Sequence, residues 1–385
     1  MSTSTTTDAA ASDGYDRRCE LQAFDDTKAG VKGLVDAGAT AVPAIFHHAP
    51  DPHPHVTSTT AADSIPVIDL SADGERDAVV ARVRAAAETV GFFQVVNHGV
   101  PCGPALLAAV RRFHEAPDAD AEAKRAYYTR DASRRVRFNS NFDLFESPAA
   151  NWRDTLFCEM APDPPRPDEF PAAVRRVMPE YGAAVRDLAT RVLAPLLSEA
   201  LWLAPGRLGE MGCVDGLSVV CNYYPPCPEP RRTLGCSRHS DPSFLTVLLQ
   251  DGVLGGLQVL LDQGDGRRGW VDVPPRPGAL FINVGDLLQL VSNGRFKSVE
   301  HRVLANESKD TARVSVASFC NTDIRRSTRL YGPIRELLSE DDPPVYRSVT
   351  VREFLAHYDR KGLDGRPALH YFLLDHPPAA ASTSV

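Results

Sequence analysis

The sequence predicts an α+β fold, a helix-rich N-terminal region followed by a β-rich half that closes into a two-sheet barrel or jelly roll. Three observations predict it. In the first half, apolar residues recur mainly at helical spacing. After Gly216, short β-rich runs take over, most of them separated by turn residues. No regular strand–helix–strand alternation runs along the chain, which argues against a parallel dinucleotide-binding sheet.

Residues 1–20, rich in Ser, Thr and Ala, read as a disordered leader. Phe24–Gly38 reads as a helix, with Asp25 or Asp26 as cap and Gly38 as terminator. Residues 47–64 mix Pro, His, Ser and Thr and read as a surface connector. Its histidines, His47, His48, His53 and His55, lie on a Pro-broken segment that cannot pre-orient them around a metal. Ile65–Leu70 is a strand, and Glu75–Val90 a helix with Val80, Val83, Ala87 and Val90 on one face. Phe92–Val96 is a second strand, ended by Asn97-His98-Gly99, and Leu106, Leu107, Val110 and Phe113 mark another helix. A long helical region, Ala172–Leu203, is kinked or split at Pro179 and Pro195. Strands then follow at Leu217–Tyr224, Phe244–Leu249, Leu257–Leu261, Trp270–Val273, Ala279–Val284, Val299–Leu304 and Val314–Phe319. The expected organisation is an extension over 1–64, a helix-rich region over 65–205, a jelly-roll catalytic domain over 206–375 and a flexible tail over 376–385.

Bulk properties narrow the partners. Lys and Arg number 42 against 50 Asp and Glu, a net charge of −8, and no basic run is present. Nucleic acid and anionic membranes are therefore not expected partners. The most apolar long stretch, Leu188–Leu203, is interrupted by Arg191, Pro195 and Glu199, so it reads as a core helix rather than a membrane span. The N-terminal residues lack the apolar core of a secretory signal, and Asp8, Asp13 and Asp16 argue against a transit peptide, so a cytoplasmic location is expected. The eight cysteines form no C-x-x-C pair and read as reduced, mostly buried thiols.

The chemistry centres on His239-Ser240-Asp241. On an extended segment residues i and i+2 point to one side, so this imidazole and carboxylate can meet one ion. A lone H-x-D triplet is weak evidence, and a lone strand histidine is more often a satisfied core residue. His301, 60 residues after Asp241 in Val299-Glu300-His301-Arg302-Val303, supplies a third ligand from another strand. Two neutral imidazoles and one carboxylate form a facial triad that leaves three positions open on Fe(II). Arg313 and Ser315 follow on the next strand and share a face, presenting a guanidinium and a hydroxyl to one anion. A keto acid bound to the metal, with its far carboxylate at Arg313, fits that pattern. Read alone, Arg313 is a strand-end surface arginine; the ordered set of four residues makes the functional reading the stronger one.

These motifs resemble those of the plant 2-oxoglutarate- and Fe(II)-dependent dioxygenase family, over roughly residues 24–375. The resemblance is carried by Gly91-Phe92-Phe93, Asn97-His98-Gly99-Val100 and Asn222-Tyr223-Tyr224-Pro225-Pro226 in addition to the triad. Asn283-Val284-Gly285-Asp286, Ser292-Asn293-Gly294, Lys297 through Val303 and Arg313-Val314-Ser315 complete it. It implies a double-stranded β-helix core, iron ligands His239, Asp241 and His301, and a carboxylate site made by Arg313, Ser315 and Tyr224 and lined by Asn222. It also implies 2-oxoglutarate and O2 as co-substrates, ascorbate as stimulant, and a small-molecule substrate oxidised as 2-oxoglutarate becomes succinate and CO2. Ser240 stands where Thr is commoner and should face away from the ligands; Tyr223 should face the core, and His98 should be a structural turn residue. Phe319, Phe138 and Phe142 are expected to face the substrate, with lid contacts from Phe138–Phe145 and Tyr346–Tyr371. The segment from Phe24 to Leu34 is similar to the subgroup called aminocyclopropane-carboxylate oxidase homologues. Asn141–Phe145 and Asn151–Leu156 are similar to its grass members, which include a hydroxylase of a benzoxazinoid glucoside.

Three rivals compete with this reading. A zinc hydrolase leaves Arg313 and Ser315 unexplained. A true aminocyclopropane-carboxylate oxidase uses ascorbate in place of 2-oxoglutarate and releases ethylene. A non-catalytic ligand-binding barrel would not be expected to carry an intact triad and anchor.

Overall fold

The computed structural model describes residues 16–56, 65–71, 75–101, 103–115, 118–252, 254–264 and 266–374, the side chains of 118–121 excepted. Its helices are α1 Arg17–Asp26, α2 Gly30–Asp36, α3 Arg76–Thr89, α4 Gly103–His114 and α5 Asp118–Arg125. These are followed by α6 Val177–Leu188, α7 Ala194–Ala200, α8 Arg207–Glu210, α9 Asp286–Val291 and α10 Val351–Lys361. The strands are β1 Val67–Asp69, β2 Phe92–Val96, β3 Val136–Asn139, β4 Asp154–Ala161, β5 Gly216–Tyr224, β6 Leu234–His239 and β7 Leu245–Gln250. Then come β8 Leu257–Asp262, β9 Arg268–Asp272, β10 Leu280–Val284, β11 His301–Leu304, β12 Arg313–Asn321, β13 Leu330–Tyr331 and β14 Val349–Thr350.

Two sheets make the jelly roll. The larger has the order β1-β2-β10-β7-β12-β5-β4-β3, the smaller β6-β11-β8-β9. Only the β1–β2 pair of the larger sheet is parallel. β12 is paired along its length to β5 on one side and β7 on the other, so it is a central strand. All but one of its nine residues are buried, as a strand covered on both faces requires. Helices α4 and α6 lie on the outer face of the large sheet, against β12 and β5. The inner faces of both sheets enclose a cavity.

The structure departs from the expectation at several places, among them the following. Helix α1 begins at Arg17, capped by the Asp16 carboxylate, so the end of the expected leader is helical; residues 1–15 lie outside the described residues. The single helix expected over Phe24–Gly38 is two, separated at Thr27–Ala29. The break has a physical cause. Val31 and Lys32 donate their amides to the Asp154 carboxylate at 2.8 and 2.9 Å, and Gly30 turns into that contact with φ +69°. A Cβ there would lie 2.3 Å from Asp154 Oδ1, so only glycine fits. Asp25 is not a cap but pairs with Arg130 at 2.8 Å. The helical region expected over Ala172–Leu203 is α6, a π-helical turn at Ala189–Leu193, and α7. Pro195 clashes with a regular carbonyl four residues earlier, and the wider turn just ahead of it relieves that clash. Finally, β3, β4 and the short β13 and β14 lie where the sequence predicts no strand, and β6 carries the extended His239 segment back to Leu234; β3 and β4 extend the large sheet beyond β5 and build one cavity wall. The tail over 376–385 lies outside the described residues.

Candidate metal and keto-acid site

His239 ends β6, Asp241 follows two residues later, and His301 begins β11. Antiparallel pairing of these strands sets His301 directly opposite His239, which a reading of linear spacing does not reveal. Asp241 Oδ1 lies 3.7 Å from His239 Nε2 and 3.5 Å from His301 Nε2. The three donor atoms all fall within 4.8 Å of one another, a fit for one ion. His239 Nδ1 donates to the Ser237 carbonyl at 2.8 Å and His301 Nδ1 to the Val299 carbonyl at 3.2 Å. A carbonyl only accepts, so each ring holds its proton on Nδ1 and turns an unprotonated Nε2 inward. Burial depresses both imidazole pKa values, and for His301 the adjacent His239 lowers it further, favouring the neutral ligand form.

The carboxylate is fixed from behind. Asn283 on β10 donates Nδ2 to Asp241 Oδ2 at 3.0 Å, leaving Oδ1 to face the histidines. Asp286 donates its amide to the Asp241 carbonyl at 2.8 Å, while Ser240 Oγ donates to Asp286 Oδ2 at 3.0 Å. Ser240 therefore faces away from the donor atoms, as expected. Asn283 and Asp286 sit in the Asn283–Asp286 motif, but nothing in the linear sequence said that they would meet Asp241.

The wall beside the triad is a grid set by strand register. Arg313, Tyr224 and Arg153 stand at one level across β12, β5 and the residue preceding β4. Ser315, Asn222 and Thr155 form the next level, and Phe319, Ser218 and Glu159 a further one. All nine line the cavity. Arg313 is 2% exposed; Nη2 donates to Gln250 Oε1 at 2.9 Å, Nη1 to Ser315 Oγ at 3.4 Å, and the guanidinium lies 4.9 Å from the Tyr224 ring centroid. A surface arginine would be solvated, so the bland reading fails at this position. Tyr224 is backed by Gly235, where a Cβ would come within 2.9 Å of the ring. Tyr223 faces away, stacked on His114 and donating to Glu115 Oε1 at 3.0 Å.

The substrate expectations divide. Phe319 and Phe142 line the cavity, and Phe142 stacks on Tyr358. Phe138 does not; it is fully buried among Phe113, His114 and Tyr128. The reason is strand alternation: on β3 the cavity receives Arg137 and Asn139, so Phe138 points to the opposite face. Of the expected C-terminal lid, Tyr358 and Leu355 on α10 reach the cavity, whereas Tyr346 accepts from Gln289 and Tyr371 stacks on His357. Arg153, missed by sequence reasoning, is 8% exposed within the cavity wall. The connector histidines are satisfied separately, His47 and His48 by the Val42 and Ala150 carbonyls and His53 and His55 by Asp51 and Asp272. His98 meets the Gly278 carbonyl. Among the described residues, every cysteine except Cys19 is buried and all are free.

Comparison with known proteins matches residues 216–322 to the 2OG-Fe(II) oxygenase superfamily and residues 65–181 to the non-haem dioxygenase in morphine synthesis N-terminal family. The 1-aminocyclopropane-1-carboxylate oxidase homolog 1 of Arabidopsis thaliana is 50% identical over 363 residues, 92% of this chain and 96% of the relative. The chain belongs to the 2OG-Fe(II) oxygenase superfamily. A probable 2-oxoacid dependent dioxygenase of Arabidopsis thaliana is 49% identical, covering 93% of this oxygenase and 99% of the relative. Among solved structures, JOX2 in complex with 2OG, Fe and JA is similar with a TM-score of 0.76 and 31% identity, covering 90% of this chain and 97% of that one. The rice dioxygenase for auxin oxidation follows at a TM-score of 0.64 and 27% identity, covering 80% of this chain and 100% of that one. This protein is thus an Fe(II)- and 2-oxoglutarate-dependent dioxygenase with a double-stranded β-helix core, and stimulation by ascorbate is typical of its family. Among the described residues, no helix is long and apolar enough to cross a membrane.

Proposed function

We propose that this dioxygenase hydroxylates an aromatic, glycosylated small metabolite, with benzoxazinoid glucosides as the first candidates. His239, Asp241 and His301 hold the ferrous ion. Arg313 and Ser315 hold the far carboxylate of 2-oxoglutarate, with Tyr224 and Asn222 beside it. The observation that carries this reading is that the three donor atoms, Arg313 and Phe319 all line one cavity of about 670 Å³. That volume suits a keto acid and a drug-sized second molecule side by side.

Bound iron supplies the activation of O2 that couples decarboxylation of 2-oxoglutarate, to succinate and CO2, with insertion of the second oxygen atom into the substrate. The protein's own work is orientation. The Nδ1 hydrogen bonds aim both Nε2 atoms, and Asn283 holds Asp241 so that one carboxylate oxygen remains free. Arg313 pins one end of the keto acid, and no side chain is required as a general base. Phe319, Phe142 and Phe157 give the remaining space apolar faces for a ring. Arg137 and the Glu159–Arg325 ion pair, closed at 2.6 Å, give it a polar rim whose remaining lone pairs and N–H groups can meet sugar hydroxyls.

The test is aerobic turnover with Fe(II), ascorbate and 2-oxoglutarate across aromatic and glucosylated plant metabolites, reading succinate and product mass together. Succinate in step with a glucoside that gains one oxygen is expected. Coupled turnover confined to aglycones or simple acids overturns the substrate class. Ethylene formed from aminocyclopropane-carboxylate without 2-oxoglutarate would replace the reading altogether.

A further inference from the structure

Arg153 is a buried guanidinium that, among the described residues, has no carboxylate within hydrogen-bonding distance; Asp143 acts on it only through space. Its Nη1 donates to the Cys236 thiol at 3.2 Å, the Tyr224 hydroxyl is a further neighbour, and its Nε has no acceptor. A thiol, a phenol and a carboxylate out of hydrogen-bonding reach leave donors of a charge held away from water unmet. Arg313 is in the same condition: its acceptors are the neutral Gln250 and Ser315, and its Nε also lacks a partner. The two cations stand at one level of the sheet, one on either side of Tyr224, and both line the cavity.

We propose that Arg153 is a second anchor for the far carboxylate of 2-oxoglutarate, gripping it from the side of Tyr224 opposite Arg313. This rests on the reading that the Arg313 end of the cavity receives that carboxylate. Two guanidiniums with unmet donors at one level can clamp one carboxylate through both of its oxygens. Arg153 acts on affinity for the co-substrate, and the metal ligands remain His239, Asp241 and His301.

The test is anaerobic calorimetric titration of 2-oxoglutarate into the Mn(II)-loaded full chain, comparing wild type, Arg153→Gln and Arg313→Gln. Losing a charged hydrogen bond should weaken 2-oxoglutarate by about 10- to 100-fold in Arg153→Gln. Mn(II) affinity and the melting temperature of the ligand-free protein should stay near wild type. With 2-oxobutanoate, which lacks the far carboxylate, wild type and Arg153→Gln should bind alike. Unchanged 2-oxoglutarate affinity in Arg153→Gln, with a loss in Arg313→Gln, overturns the proposal. A penalty that persists with 2-oxobutanoate also overturns it, because Arg153 would then act elsewhere. If neither arginine affects 2-oxoglutarate, the assignment of this end of the cavity falls, and the proposal with it. Should Arg153→Gln fail to fold, Arg153→Lys keeps the charge but loses the fork; it should bind about 3- to 10-fold more weakly, and wild-type affinity in that variant refutes the clamp.

Discussion

Replacing Asn283 by Ala isolates the contribution of one hydrogen bond to Asp241, the carboxylate proposed to hold the metal. Asn283 Nδ2 donates to Asp241 Oδ2 at 3.0 Å, and the two residues are 4% and 3% exposed, so water cannot readily substitute for the lost donor. A hydrogen bond to a charged acceptor contributes about 1.5–3 kcal/mol. At about 1.4 kcal/mol per decade this corresponds to a roughly 10- to 150-fold weaker metal affinity, in the range found for partners of metal ligands in other proteins. Part of the loss arises because Asp241 is free to rotate Oδ1 away from the two Nε2 atoms. Anaerobic titration with Mn(II) or Fe(II) reads the effect directly. The affinity for 2-oxoglutarate at saturating metal should change far less, since Asn283 bonds Asp241 and not Arg313 or Ser315. Asn283→Asp should be worse than Ala, because it places a second carboxylate against the first. Metal affinity within about twofold of wild type in both variants would refute the claim that Asp241 is oriented by this contact.

Arg313→Ala should raise the KM for 2-oxoglutarate by about 10- to 100-fold while metal still binds, and ordinary co-substrate saturation would refute the anchor. Asp241→Ala should abolish turnover; succinate release near the wild-type rate would remove Asp241 from the ligand set. His114 is buried with neither ring nitrogen bonded, and desolvation first, then Lys124 and Lys32, push its pKa well below the usual 6.5. Its contribution is complete above that value and is lost as pH falls below it, because the unfolded chain takes up a proton that the folded chain refuses, at up to about 1.4 kcal/mol per pH unit. His114→Phe should therefore flatten the decline of melting temperature between about pH 6.5 and 5, and parallel curves for the two proteins would count against this. Phe319→Ala should raise substrate KM with 2-oxoglutarate KM unchanged, whereas Phe138→Leu should lower the melting temperature with both KM values unchanged; the reverse pattern would exchange their roles.

The legible part of the site lay in short-range order. His239 and Asp241 are two apart, and Arg313 and Ser315 are two apart, so strand alternation alone put each pair on one side. The same rule correctly turned Tyr223 away from Tyr224 and Ser240 away from the donors. It fails at Phe138 because nothing in the sequence marks β3 as a strand; once its register with β4 is known, Arg137 and Asn139 are the inward residues. The helix break at Thr27–Ala29 was equally hidden, because its cause is Asp154, more than a hundred residues away in the chain.

Local periodicity determined that this chain is helical first and stranded later, and the ordered motifs singled out a two-histidine, one-carboxylate cluster and the arginine that shares its cavity. Tertiary structure decided which strands are neighbours and at what register. That brought His301 opposite His239, set Asn283 behind Asp241, and stood Arg153 level with Arg313 across Tyr224. The physical reason is that the direction of a side chain within a strand follows from a period of two, readable along the chain. Which residues meet across strands depends on hydrogen-bond pairing between segments far apart in sequence, and no linear spacing records it.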